Sequence, residues 1–214
     1  NGFAYTVTAR GFNSPESANK LLVLIDGRSV YTPLASTVFW ENIDVPLSNI
    51  ERIEVISGPG GTLYGANSLG GVLRYVLTTP SLDDTEIRVG GDILGIAGSG
   101  SVGGGGRAMI NTALIPDRLG LIASVATEDT PGYIDNTQTG KKDQNASRQL
   151  SGRLALLWQP TSTLSVKLGA IYQHVDADGY ATVALDPTTL KPLNGDLTDN
   201  NYVPNTYKSA LQYY

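Results

Sequence analysis

The chain has 214 residues, a net charge of −5 and only 16% charged residues, where an average soluble domain carries roughly 25%. Its densest basic cluster is Lys141-Lys142, so no basic stripe exists for a nucleic-acid partner. It has no Cys and a single His, His174, which excludes disulfides, thiolate metal sites and a histidine-clustered metal site.

The composition changes near Pro80. Before it, short strands mix with turns. Ala4 to Phe12 alternates around Tyr5, Val7 and Ala9. Leu21 to Ile25 is the longest apolar run and reads as a strand buried on both faces, with Asp26-Gly27 as the turn after it. Pro46 to Arg52 opens like a one- or two-turn helix with Pro at its start. Ile53 to Ile56 reads as a short strand stopped by Gly58-Pro59-Gly60-Gly61, and Val72 to Thr78 as another, ended by Pro80. Together these elements predict a compact α+β unit with a small mixed sheet.

From residue 85 to about 175 the period is two. Ile87, Val89, Gly91 and Ile93 share one face. Ala108 to Leu114, Leu119 to Val125, Leu150 to Trp158 and Leu164 to Tyr172 repeat the pattern. The opposite faces carry Arg88, Asp92, Asn111, Arg153 and Lys167 among smaller residues. Pro116-Asp117-Arg118 and Pro160 to Thr163 are short connections, whereas Glu128 to Ser147 and Asp176 to Asn205 are long. Short turns at one end and long loops at the other are the pattern of an outer-membrane β-barrel, whose strands cross lipid by alternation, without the ~18 apolar residues of a membrane helix. Trp158 and Tyr172 fall near strand ends, where an interfacial aromatic girdle would lie.

Four segments carry a family resemblance. They are Ala9-Arg10-Gly11-Phe12, Leu22 to Arg28, Ile50 to Pro59, and Leu63-Tyr64-Gly65-Ala66-Asn67-Ser68-Leu69-Gly70-Gly71-Val72. In this order and spacing they resemble the later part of the plug domain of TonB-dependent outer-membrane receptors, over roughly residues 7 to 80. The Gly-rich stretch lacks the Gly-Lys-Ser/Thr ending of a phosphate loop and the spacing of a dinucleotide fingerprint.

The resemblance implies an α+β plug over residues 1–80, followed over 81–214 by antiparallel transmembrane strands of an incomplete barrel. Arg10 would face wall carboxylates and help hold the plug. A second arginine usually precedes the Gly-Pro of the family, and here that position is Ser57. The loops facing outward would be Asn13 to Asn19 and Tyr31 to Trp40, with Asn13, Ser14, Glu16, Tyr31, Thr32 and Trp40 as ligand contacts. Phe39 reads as plug core; Trp40 fits the core equally well, and Arg10 fits an exposed strand end.

The expected function is uptake of a scarce extracellular nutrient, first an iron–siderophore or similar metal chelate. The partners would be the TonB complex energised by ExbB and ExbD, the ligand itself and outer-membrane lipid. No cofactor, metal or catalytic group is called for. Asp83-Asp84 reads as a solvated linker pair, and Asp176 and Asp178 beside His174 as loop polarity. A passive outer-membrane pore or adhesin is the first rival and a secreted soluble β-domain enzyme the second. A plugged barrel of this family has about 22 strands and so needs roughly 220 residues in strands alone. Five clear strands, with a sixth from Tyr207 to Tyr214, predict a piece of a longer protein or one of several subunits.

Overall fold

The structure, a computed structural model, describes residues 7, 20–31, 38, 45–136, 140–178, 186–189, 191, 199–200 and 207–208. It contains a four-stranded mixed sheet and a six-stranded antiparallel sheet, with the first seated on one face of the second.

The small sheet runs in the order β2-β1-β4-β3, with β1 Leu21–Ile25, β2 Arg28–Ser29, β3 Ile50–Ser57 and β4 Gly71–Leu77. All five residues of β1 are buried, as its unbroken apolar run requires. Its two faces feed two clusters, one around Val23, Ile25 and Leu77 and the other around Leu22, Leu24 and Val72. Val23 and Val72 are fully buried, each stabilising the sheet by about 1.5–3 kcal/mol over an exposed position. Asp26 (φ 47°) and Gly27 (φ 83°) both adopt left-handed conformations and form the two-residue turn that folds β2 back on β1.

The helix expected from Pro46 to Arg52 is only a 3-10 turn, Leu47–Asn49. Strand β3 starts directly at Ile50 and is longer than expected. The β-branched residues Ile50, Ile53, Val55 and Ile56 favour a pleated partner, and β4 supplies an antiparallel ladder along the whole segment. After β3 the chain makes one helical turn, α1 Gly61–Tyr64, which the glycine-rich sequence did not announce.

The large sheet is an up-and-down meander of β5 Thr85–Gly95, β6 Val102–Ile115, β7 Leu119–Thr130, β9 Ser147–Thr161 and β10 Leu164–Ala177. The sixth strand appears as β12 Tyr207–Lys208, paired to the end of β10. A short parallel pair between β8 Asp135–Asn136 and β11 Asp199–Asn200 lies among the long loops.

The two faces of this sheet are inverted relative to a soluble domain. Ile87, Val89, Ile93, Leu114, Val125, Leu154, Trp158, Leu168 and Tyr172 stand on the exposed face, with Ile93 at 87% exposure. Ordinary soluble proteins do not leave a continuous apolar surface of that extent in water. The other face, against the small sheet, carries Met109, Asn111, Ile122, Ser151, Arg153 and Ala155, all buried.

Candidate functional site: the seam between the two sheets

Polar contacts join the small sheet to the inward face of the wall. Asn49, fully buried, donates from Nδ2 to Ser124 Oγ at 2.7 Å. Its backbone carbonyl accepts from Thr78 N, and Thr78 O accepts from Arg153 Nη2 at 2.9 Å. Arg88 Nη1 donates to Ser48 O at 3.3 Å. At the β1–β2 turn, Asp26 uses both carboxylate oxygens: Oδ1 accepts from Leu77 N at 2.9 Å and Oδ2 from Lys167 Nζ at 3.1 Å. Asp26 thus ties its own sheet together and clips it to β10.

The connection from β4 to β5 is seated just as closely. Asn111 accepts from Ser81 N at 2.7 Å and donates to Thr79 O at 3.2 Å, while Asp117 N donates to Leu82 O at 2.8 Å. Ser81 O passes so near β7 that a Cβ on Gly120 would lie 2.2 Å from it, so only glycine fits there. In the linker the Asp83 carboxylate is engaged locally, Oδ1 accepting from Ser81 Oγ at 2.9 Å, while Ser81 Oγ in turn accepts from Asp84 N at 2.9 Å.

Two cavities lie along the seam. The one nearer the long loops, about 350 Å³, is bounded by Val45, Pro46, Asp92, Arg107 and Glu128, with Arg107 Nη1 donating to Asp92 Oδ1 at 2.9 Å. The one nearer the short turns, about 510 Å³, lies between β1, β4, β9 and β10 and is rich in cations. The described part of the long loop after β7 is tied together by side-chain to backbone bonds at the long-loop end. Asn145 Oδ1 accepts from Tyr133 N and Ile134 N, both at 2.8 Å, and Asp143 Oδ2 accepts from Gly100 N at 3.0 Å. In this loop the Lys142 ammonium beside Asp135 holds that carboxyl below its ordinary range.

Of the residues expected from sequence to meet ligand or wall, Arg10, Asn13, Ser14, Glu16, Thr32 and Trp40 lie outside the described residues, as does Phe39. Tyr31 is described. It is half-buried at the end of the β1–β2 hairpin, touches both core clusters, and donates its hydroxyl to Leu21 O at 2.9 Å. Burial pushes its phenol up to about 12. Ser57, at the position where the resemblance expects an arginine, pairs with Gly71 in the β3–β4 ladder. On β3 itself Glu54 sits between Arg52 and Arg74, and the hydrogen bond from Arg52 is the main reason its carboxyl titrates low. His174 and Asp176 pair with each other at 2.9 Å on the outward face, and no metal-binding group is found among the described residues.

Sequence reasoning noticed Asn111, Arg153 and Lys167 as polar interruptions of an alternating pattern but gave them no role. It read Asp26 only as a turn residue and Asn49 only as part of a helix start, and it gave Gly120 no role. Polar side chains on the face opposite an apolar band were the available signal, and they mark the seam.

A small mixed sheet held on the inward face of an antiparallel wall, with an apolar surface on the wall's other side, is the layout of a plugged outer-membrane barrel. Comparison with known proteins agrees. Residues 1–72 match the family model described as the TonB-dependent receptor plug domain. Over 86 residues the chain is 38% identical to the vitamin B12 transporter BtuB of Vibrio vulnificus, covering 40% of this chain and 13% of that protein. Over 203 residues it is 27% identical to the ferrioxamine B receptor of Salmonella typhimurium, covering 94% of this chain and 26% of that protein. The ferric yersiniabactin uptake receptor FyuA from Yersinia pestis superposes with a TM-score of 0.69 at 20% identity, over 92% of this chain and 29% of that one. These matches make the chain similar to TonB-dependent receptors, a likeness carried by the plug segment in sequence and by most of the chain in fold. The chain spans between 13% and 29% of the length of these three relatives.

Proposed function

We propose that this chain forms the later plug and first wall strands of a receptor that captures a scarce nutrient outside the cell and imports it across the outer membrane. The boundary between the two parts falls near Pro80, where the linker crosses Gly120. The observation that carries the reading is the seam itself: polar contacts such as Asn49 to Ser124 and Lys167 to Asp26, with Ile171 of the wall as an apolar contact to the plug core, hold a self-contained sheet against the wall. A plug that must move needs such a joint.

The cargo is an iron–siderophore or a similar metal chelate. The TonB complex, driven through ExbB and ExbD, supplies the work from the periplasmic side, and the surrounding lipid covers the apolar outer face. Asn13, Ser14, Glu16, Tyr31, Thr32 and Trp40 contribute to the ligand surface, and Arg10 to plug retention. Cobalamin is a second reading, favoured by the 38% identity to a vitamin B12 transporter over 86 residues.

Uptake of labelled ferric siderophores and of labelled cobalamin by cells carrying the full-length receptor tests this. Accumulation of one class that stops on TonB deletion or collapse of the proton gradient is the expected result. Uptake that persists without TonB would point to a passive pore, and no uptake of either class would refute both cargo assignments.

A further inference from the structure

The cavity of about 510 Å³ between plug and wall is built differently from the one near the long loops. Arg28, Arg74, Arg153 and Lys167 all line it, against one lining carboxylate, Asp26. That carboxylate is already engaged by Leu77 N and Lys167. Arg74 is held by Glu54 at 3.1 Å. Among the described residues no carboxylate lies within ion-pair distance of Arg28 or Arg153, and only Asp26 is near enough to favour the Arg153 charge. Arg153 is 6% exposed, and its Nη1 is buried with no hydrogen-bond partner among the described residues. A buried guanidinium with an unanswered donor is costly unless an anion answers it. The wall beside it is thinned at Gly169, where an added Cβ would meet nothing closer than 3.9 Å, leaving room for a solute.

We propose that this cavity is an inner anion-binding subsite, a way station that takes carboxylate- or phosphate-bearing solutes after they leave the outer ligand surface. The assignment rests on the uptake reading above and narrows its cargo to chelates presenting oxyanions. Arg28 and Arg153 offer the free donors, Lys167 and Arg74 raise the local potential, and the low-dielectric walls of plug and barrel focus it. When the solute arrives, Arg153 Nη1 gains the acceptor it lacks. Charge-assisted hydrogen bonds of this kind are stronger than neutral ones.

The test uses the full-length receptor in detergent, in a cysteine-free background, with Gly169→Cys as reporter and Thr163→Cys in the exposed β9–β10 turn as control. Labelling rates are compared for a negatively charged and a positively charged methanethiosulfonate. The subsite predicts a preference for the anionic reagent about tenfold above that at the control, the low end of what a one-sign cleft does to local ion concentration. Arg28→Gln, an exposed change that leaves folding intact, should remove most of that preference. Citrate and inorganic phosphate should each slow labelling at residue 169; stronger protection by citrate marks an organic carboxylate as the natural occupant, stronger protection by phosphate a phosphoryl group. Equal preference at both cysteines, a preference untouched by Arg28→Gln, or no protection by either anion overturns the assignment. None of these readings requires transport, so the uptake proposal stands or falls separately.

Discussion

Gly120→Ala isolates the seating of the linker from everything else in the molecule. The new Cβ would stand 2.2 Å from Ser81 O, 3.0 Å from Ser81 C and 3.1 Å from Pro80 Cβ, and the first two are backbone atoms that cannot rotate away. The linker must lift. Lifting it strains or breaks the bonds of Ser81 N to Asn111, Asn111 to Thr79 O and Asp117 N to Leu82 O. At a net value of about 1 kcal/mol each, these sum to about 3 kcal/mol. That is about 100-fold in the population of the opened linker. Limited proteolysis of the full-length receptor, run where opening is fast compared with cleavage, reads that population at residues 80–85. The plug core around Val23 and Val72 is remote from the change and should keep its protection. Gly106→Ala is the control, because a Cβ there meets nothing within 4 Å. Wild-type cleavage in Gly120→Ala, or equal effects of the two alanines, would show that the linker does not depend on this passage.

Ser124→Ala leaves the buried Asn49 amide without its acceptor and should lower stability by about 1–3 kcal/mol, measured by thermal melting of the receptor. A double-mutant cycle with Asn49→Ala should show strong coupling. Lys167→Met removes a half-exposed ion pair with Asp26 and should cost no more than about 1 kcal/mol, a loss that vanishes in high salt; a larger, salt-independent loss refutes the assignment. Tyr31 ionises near 12 in the folded chain, above its ordinary 10, so the folded state keeps a proton that the unfolded chain loses. Its contribution is therefore complete below about pH 10 and fades as pH climbs towards 12. Tyr31→Phe should flatten that alkaline decline, followed by tyrosinate absorbance alongside melting.

Elements governed by local pattern were readable in advance. The apolar run of β1, the Asp26-Gly27 turn and the period-two wall strands each follow from side chains within a few residues of one another. Even the inversion of the wall was implicit, because its apolar faces were continuous while its polar faces held isolated charges. What failed was decided elsewhere in the chain. Pro46 to Arg52 carries a helix-start signature, yet β4, some twenty residues later, draws its second half into a ladder. The seam was illegible for the same reason. Nothing near Gly120 in sequence reveals that Ser81 crosses it, and nothing around Asn49 points to Ser124, 75 positions away. Of the anticipated ligand contacts only Tyr31 falls among the described residues, where its hydroxyl serves the hairpin.

The pairing of β1 with β4 is parallel and runs through five consecutive residues, whereas the plug meets the wall through scattered hydrogen bonds and the apolar contact of Ile171. A tug along the strand axis would load that ladder in shear, every rung sharing the strain, while each isolated tie to the barrel would be peeled in turn. We therefore expect the stopper to detach as an intact body before it unravels. Optical-tweezer traces showing the sheet extending first would contradict that order of rupture.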